Sequence, residues 1–327
     1  MKTVAVIGST GAVGREIIRL LEMRAFPIRE LCCFASPRSA GQFVSFRGEQ
    51  IPVTVLSKDA LHNIDLAFYA AGSAVSREWI PQSSCLCIDS SSAFRMDPSV
   101  PLVIPEINAS ALRISRGLIA SPNCSATVML MPLAPLHWLF RVKRVVVATY
   151  QAASGGGAKL LKQLEDETRA NLAGQSVPSK LPFPYAFNLY PHNSMLHPTG
   201  YVEEEVKMQE ETRKILGDDS IAVSATCVRV PVLRAHSVAV NVEFHRPFTM
   251  DAVYRAIQHM PGLALFQDPA KNRFATPADA TGRNEVLCGR FRIDTTQPNT
   301  LEFWSVGDQL LKGAALNAVQ IAETLHV

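Results

Sequence analysis

The run Gly8-Ser9-Thr10-Gly11-Ala12-Val13-Gly14 leaves the first third of the chain few ways to fold. It follows an apolar stretch, Thr3 to Ile7, that is expected as a buried strand. It leads into Ala12 to Met23, where Val13, Ile17, Ile18, Leu20 and Leu21 recur at helical spacing. Glycines at this G-x-x-G-x-x-G spacing permit a tight turn and let backbone N–H groups approach a pyrophosphate, while the helix N-terminus adds a favourable dipole. The bland alternative is a plain tight turn. Its place after a strand and before a helix favours a dinucleotide site.

Glu30 to Phe34, Leu66 to Tyr69 and Cys85 to Ile88 read as further short strands, with helical or loop material between them. That is the rhythm of a parallel sheet with crossover helices. NAD sites usually carry an acidic residue at the end of the second strand, for the ribose 2′-OH. Here the strand runs into Ala35-Ser36-Pro37-Arg38-Ser39, with no carboxylate. The cation of Arg38 and the hydroxyls of Ser36 and Ser39 suit the 2′-phosphate of NADP; the alternative is a solvated loop that carries an arginine. Gly72, in Ala71-Gly72-Ser73 after the next strand, is small enough to let a cofactor pass.

With 327 residues, 47% of them hydrophobic, the chain has material for two packed cores. A net charge of +3, with no run of Lys and Arg, gives no basis for nucleic-acid or membrane-surface binding. No apolar stretch reaches the ~18 residues of a membrane span, and the apolar start reads as a first strand rather than a signal peptide. Seven cysteines at irregular spacing fit a reduced, cytoplasmic protein. Cys85 and Cys87 lack a second ligand pair, so no metal site is expected.

The pattern changes at Ser121-Pro122-Asn123, where a helix-like apolar run begins at Cys124 and continues to about Phe140. Val142 to Tyr150, Ala222 to Val230 and Ser237 to Phe244 are longer strand candidates whose partial alternation suits an antiparallel or mixed sheet. Val177 to Gly200, rich in Pro, Asn and His, reads as a long surface loop, and Leu310 to Leu325 as a helix. Cys124 stands apart from the other cysteines because a helix start favours the thiolate. Its proton partner is sought among eight histidines. His236 lies in a short loop between two strand candidates; His137 reads as a core residue, and His192 and His197 are weaker rivals in the Pro-rich loop. An imidazole titrates near neutrality and suits acid–base work beside a thiol.

In chain order, GSTGAVG at 8–14, ASPRSAG at 35–41, SSAFR at 91–95, SPNCSAT at 121–127, TYQAASG at 149–155, EEVK at 204–207, RVPVLRAHS at 229–237 and KGAALNAVQIAE at 312–323 resemble aspartate-semialdehyde dehydrogenase. The resemblance spans essentially the whole chain. It implies a Rossmann-type α/β dinucleotide-binding domain at 1–121 and 307–327, and an α/β substrate domain at 122–306 whose mixed sheet also forms a homodimer. It implies Cys124 as nucleophile, His236 as general acid–base and Gln151 as the residue that orients the substrate. Arg229 would hold the substrate carboxylate by a bidentate contact that Lys cannot copy. Glu204 would face the substrate amino group, and Arg95 and Lys207 would hold phosphate. Without the resemblance, Glu204 and Lys207 read as an ordinary solvated ion pair on one helix face.

The implied chemistry is reversible reduction of L-aspartyl 4-phosphate by NADPH to aspartate 4-semialdehyde and phosphate, through a thioester on Cys124, within aspartate-family amino-acid and diaminopimelate synthesis. Asn123 and the backbone N–H groups at the helix start would assist the oxyanion. Ser154 and Gly155 would lie on the cofactor. Ser154-Gly155-Gly156-Gly157 and Gln309 depart from the family's usual Ser-Gly-Ala-Gly and Asn, so the longer Gln309 amide is expected to reach the nicotinamide differently. N-acetyl-gamma-glutamyl-phosphate reductase shares the chemistry, but it carries Pro-Gly-Cys-Tyr where this chain has Pro122-Asn123-Cys124-Ser125, and it has no use for Glu204. A catalytically inactive nucleotide-binding paralogue should lack Cys124 or His236, and both are present.

Overall fold

The computed structural model describes residues 1–175 and 179–325. Val177 and Pro178, at the head of the expected surface loop, and His326 and Val327, at the chain's end, lie outside the described residues. Two compact units are present: Met1–Cys124 together with the segment from Leu310 onward, and Ser125–Gln309.

The first unit is built on strands β1 (Lys2–Ile7), β2 (Ile28–Ala35), β3 (Phe43–Phe46), β4 (Glu49–Val55), β5 (Leu66–Tyr69), β6 (Leu86–Asp89) and β7 (Leu118–Ala120). Their order across the sheet is β3-β4-β2-β1-β5-β6-β7, and every pairing except β3 with β4 is parallel. A parallel strand is covered on both faces, which is why β1 is apolar from Val4 to Ile7 and β5 throughout. The helices Ala12–Met23 and Leu316–Thr324 share one core cluster with β1, β2 and β5. Chain order runs outward in both directions from β1, so the crevice at its carboxyl end is the switch point where such sheets take ligands.

Two features of this unit differ from expectation. The β3–β4 hairpin was not anticipated. The terminal helix opens with a wide π turn, Leu311–Ala315, in which the Ala315 N–H reaches the Leu310 carbonyl at 2.9 Å. Lys312, completely buried, sits in that turn.

The second unit has β8 (Val142–Gln151), β9 (Tyr190–Pro191), β10 (Ala222–Arg229), β11 (His236–Phe244), β12 (Leu263–Leu265), β13 (Gln267–Asp268), β14 (Arg273–Phe274), β15 (Val286–Ile293) and β16 (Thr300–Gly307). Seven of them form one mixed sheet, β12-β15-β16-β11-β8-β10-β9. Strand β8 runs parallel to β10 and antiparallel to β11. The helix that begins at Cys124 runs to Phe140 and is apolar all round, with every side chain from Ser125 to His137 buried. Pro132 lies inside it and has no N–H to offer the Val128 carbonyl four residues back. Ser305 of β16 fills that vacancy, its Oγ donating to Val128 O at 3.0 Å.

Strands β15 and β16 were not expected. Strand β15 is interrupted at Gly289 and Arg290, where the register shifts and Arg290 takes φ 54°, so no simple alternation marks it. The Pro-rich segment is also not a simple surface loop. Tyr185 and Tyr190 are buried there, with ring centroids 5.3 Å apart. The Glu167 carboxylate of helix Ala158–Leu172 accepts the Tyr185 N–H at 2.6 Å and the Ala186 N–H at 3.0 Å, fixing the segment from below.

Candidate active site

In the first unit the glycine run forms a cradle that only glycine allows. Gly8 has φ +88°, and a Cβ there would lie 2.7 Å from Ala70 O; at Gly14 it would lie 2.2 Å from Gly8 O. Gly11 caps the Ala12–Met23 helix without a side-chain hydrogen bond, which leaves the first-turn amides, Ala12 and Val13 among them, for an anion. Ser9 is buried and its Oγ donates to Phe34 O at 3.2 Å, while the carbonyl of Thr10 accepts from Arg15 Nε at 3.0 Å. Beside the cradle lies a cavity of about 290 Å³, bounded by Ser36, Pro37, Leu56, Val75 and Trp79. Ser36 and Arg38 are exposed and Ser39 half-buried in the turn after β2; Gly72, with φ +92°, has open space where a side chain would stand. Amide donors for a pyrophosphate, an apolar slot for a base and an exposed cation in the turn after β2 fit a dinucleotide phosphorylated at the 2′ position.

The same unit holds Cys124, half-buried as the first residue of its helix, with Asn123 buried before it. Arg95 is buried too. Its Nε donates to Ser121 O and its Nη2 to Ser90 O, each at 2.9 Å, so the guanidinium is tied to the segment that leads into Cys124. Asp89, at the end of β6, organises the loop between them by accepting from Ser76 Oγ, Ser91 N–H and Ser91 Oγ at 2.8, 2.9 and 2.9 Å.

In the second unit sheet register gathers the remaining side chains. Gln151 ends β8 and Arg229 ends β10, directly paired; β11 runs the other way, so its first residue, His236, lies at the same edge. All three are at most 4% exposed. The Gln151 amide donates to Glu204 Oε1 at 3.3 Å. Glu204 and Lys207 do share one face of helix Glu203–Leu216, at 3.4 Å, with Glu203 also 3.1 Å from the Lys207 ammonium. Glu204 is buried, which separates the pair from a solvated one.

His236 is enclosed on every side. Its Nδ1 accepts the Ala152 N–H at 3.0 Å, so the ring proton belongs on Nε2, which has no partner among the described residues. Burial, reinforced by the Arg229 charge, pushes its pKa down to about 3. Gly155 covers the ring so closely that a Cβ would stand 2.7 Å from His236 Cε1 and 2.8 Å from Nε2. The preceding loop is pinned by two consecutive residues after β16. Asp308 Oδ2 accepts from Arg234 Nε at 2.7 Å, and Gln309 Oε1 accepts the N–H of Ala235, itself at φ 72°, at 2.8 Å. The other end of the Gln309 amide donates to Ser154 Oγ at 2.5 Å. One end of that side chain thus holds the loop that carries His236, and the other holds Ser154, whose Oγ donates to Leu233 O of the same loop at 2.6 Å.

Other histidines separate clearly. His137 is a satisfied core residue, its Nδ1 accepting the Val142 N–H at 3.2 Å. His192, ranked low in sequence, is drawn against Arg229 at 2.9 Å. The short strand β9 places it there, and two strand residues inside a Pro-rich segment gave no periodic signal. Among the described residues no group of three or more His, Cys, Asp or Glu is placed to hold a metal, and no helix is long and apolar enough to cross a membrane.

Comparison with known proteins agrees with this architecture. Residues 3–115 match the semialdehyde dehydrogenase NAD binding domain and residues 133–312 the semialdehyde dehydrogenase dimerisation domain. The aspartate-semialdehyde dehydrogenase of Synechocystis sp. is 50% identical over 98% of this chain and 96% of its own. That of Aquifex aeolicus is 43% identical over 98% and 97%. The crystal structure of aspartate semialdehyde dehydrogenase II from Vibrio cholerae superposes with a TM-score of 0.95 at 37% identity, covering 100% of this chain and 98% of the other. A second structure of the Vibrio protein, complexed with ASA, matches equally well.

Proposed function

The chain belongs to the aspartate-semialdehyde dehydrogenase family, and from that premise we propose that it interconverts L-aspartyl 4-phosphate and L-aspartate 4-semialdehyde with NADP, through a thioester on Cys124. The observation that carries this reading is the buried cluster of Arg229, Glu204, Gln151 and an unpartnered His236 Nε2 at one sheet edge. A guanidinium, a carboxylate and an N–H donor are the groups needed to hold an α-amino acid by both ends beside a reacting carbonyl.

In the reductive direction the Cys124 thiolate attacks the acyl carbon, the bond to phosphate breaks, and the thioester forms. Arg95 and Lys207 hold the departing phosphate. The glycine cradle, Arg38, Ser36 and Ser39 would hold NADPH, which would supply the hydride. Gln151 orients the acyl group. His236 donates a hydrogen bond from its Nε2–H to the oxygen that develops negative charge and keeps it until that oxygen returns to a carbonyl and the sulfur leaves. The dimerisation-domain match supports a homodimer built on the second unit. A cytoplasmic location accompanies this reading, all seven cysteines being free.

The test is phosphate-dependent reduction of NADP by aspartate 4-semialdehyde, with N-acetyl-glutamate semialdehyde as control. Preference for the acetylated substrate would replace the substrate assignment. Cys124→Ala should bind NADP and show no turnover; appreciable turnover refutes the thioester.

A further inference from the structure

His192 has no part in the chemistry proposed above, yet it occupies the Arg229 guanidinium. Strand β9 pairs antiparallel with β10, Tyr190 opposite Arg229, and the His192 N–H continues the ladder to Cys227 O at 2.8 Å. The imidazole then turns to Arg229, Nε2 lying 2.9 Å from Nη2. A guanidinium only donates, so this Nε2 must accept; the Ser194 N–H also faces Nδ1 at 3.2 Å, but the charged donor outweighs the neutral amide and leaves the ring proton on Nδ1. A recipient stands ready: Ser194 Oγ lies 3.1 Å from Nδ1. The same hydroxyl accepts the Glu204 N–H at 3.1 Å. The other terminal nitrogen of the guanidinium is held by Ala152 O, which accepts from Nη1 at 2.8 Å, while Nε is buried without a partner among the described residues. His192 and Ser194 therefore form a bridge from the residue assigned to the substrate carboxylate to the residue assigned to its amino group.

We propose that His192 is a positioning residue for substrate binding: as a neutral acceptor it fixes the rotation of the Arg229 guanidinium and, through Ser194, its spacing from Glu204. This rests on the reading of Arg229 as the carboxylate holder. A planar fork recognises a carboxylate only at the correct rotation. Protonation of His192 removes the acceptor and sets a cation against Arg229. The ionisable groups facing His192 are Glu204, Glu205 and Lys207 from helix Glu203–Leu216, Arg229 from β10 and His236 from β11. Burial outweighs the carboxylates and holds the imidazole below its ordinary range, so it is neutral at pH 7. Substrate KM accordingly rises as pH falls through that lowered value.

The experiment compares His192→Ala, His192→Gln and Arg229→Lys with the unaltered enzyme in the phosphate-dependent assay across pH. Loss of one charged hydrogen bond predicts that His192→Ala raises the KM for aspartate 4-semialdehyde about tenfold, with kcat and the KM for NADP nearly unchanged. His192→Gln, which keeps a neutral acceptor, should recover most of the loss and remove the acidic rise in substrate KM. If His192→Ala leaves substrate KM unchanged while Arg229→Lys raises it, the positioning role is refuted and the carboxylate assignment stands. If Arg229→Lys leaves substrate KM unchanged, that assignment itself is wrong. A fall in kcat for His192→Ala matching that of His236→Ala would make His192 a proton-transfer group and also overturn the proposal.

Discussion

Replacing Gly155 by alanine adds one methyl group against the His236 ring, and the structure sets the size of the effect. The new carbon would lie 2.7 Å from Cε1, 2.8 Å from Nε2 and 3.2 Å from Arg229 Nη1. Favourable carbon contacts begin at about 3.5 Å, so the ring must retreat by about 0.8 Å. It has nowhere to go: it is fully enclosed, and its Nδ1 is fixed by the Ala152 N–H. Overpacking of this kind costs about 1–3 kcal/mol of stability. A misplacement near 1 Å at a reacting group costs about a hundredfold in rate. Steady-state reduction of NADP by aspartate 4-semialdehyde should therefore show kcat reduced about a hundredfold, with the protein folded by circular dichroism. Gly156→Ala is the control on the same turn, because its added carbon meets the Leu160 side chain, including Cδ2 at 2.4 Å, and leaves His236 alone. If Gly155→Ala keeps kcat within about threefold, a cost under 1 kcal/mol, the steric argument and the role of His236 Nε2 both fail.

Gly14→Ala puts a carbon 2.2 Å from the Gly8 carbonyl, backbone against backbone; NADP affinity and the thermal midpoint should both fall, and normal values for both would refute the cradle. Lys312→Met removes one partner of a buried pair, the ammonium lying 2.6 Å from Glu106 and 2.7 Å from Gln320 Oε1. Denaturant unfolding should show a loss of about 3–5 kcal/mol, partly restored by adding Glu106→Gln; a single variant as stable as the parent would contradict this. His236, with a folded pKa near 3, is neutral in both states above pH 6.5. Below that value only the unfolded chain takes the proton, so stability falls as pH drops from 6.5 toward 3. The slope should be shallower in His236→Gln; an identical slope would mean His236 is not the buried neutral group described here.

The first unit was largely legible because its signals are local. A strand, a glycine run and an amphipathic helix lie within Thr3 to Met23, and each is recognisable without the rest of the chain. The same holds for Cys124, whose helix starts where the sequence places it. What could not be read depends on pairings between distant segments. Strand β9 has two residues and exists only because β10 offers an edge to Tyr190. Glu167, an unremarked acid on a helix, holds Tyr185 and Ala186 by their backbones. His192 gains its place from these two facts together.

Buried charge makes the same point more sharply. Lys312 is completely buried, and burial pushes its pKa down to about 8 even though Glu106 opposes the shift. A lysine one residue before a glycine reads as surface in any local scheme. Here it anchors a polar chain: its ammonium donates to Asn317 Oδ1 at 3.1 Å, and Asn317 Nδ2 donates to Ser121 Oγ at 3.0 Å. Ser121 in turn accepts from Arg95 through its carbonyl. An apolar side chain could fill the space of Lys312, but it could not hand a hydrogen bond along to the residues beside Cys124. The cost of desolvating the ammonium is therefore tied to the geometry of Arg95. Glu106→Gln should raise substrate KM through that chain even though Glu106 is itself assigned no contact with the substrate. Unchanged kinetics in that variant would reduce Lys312 to a packing element.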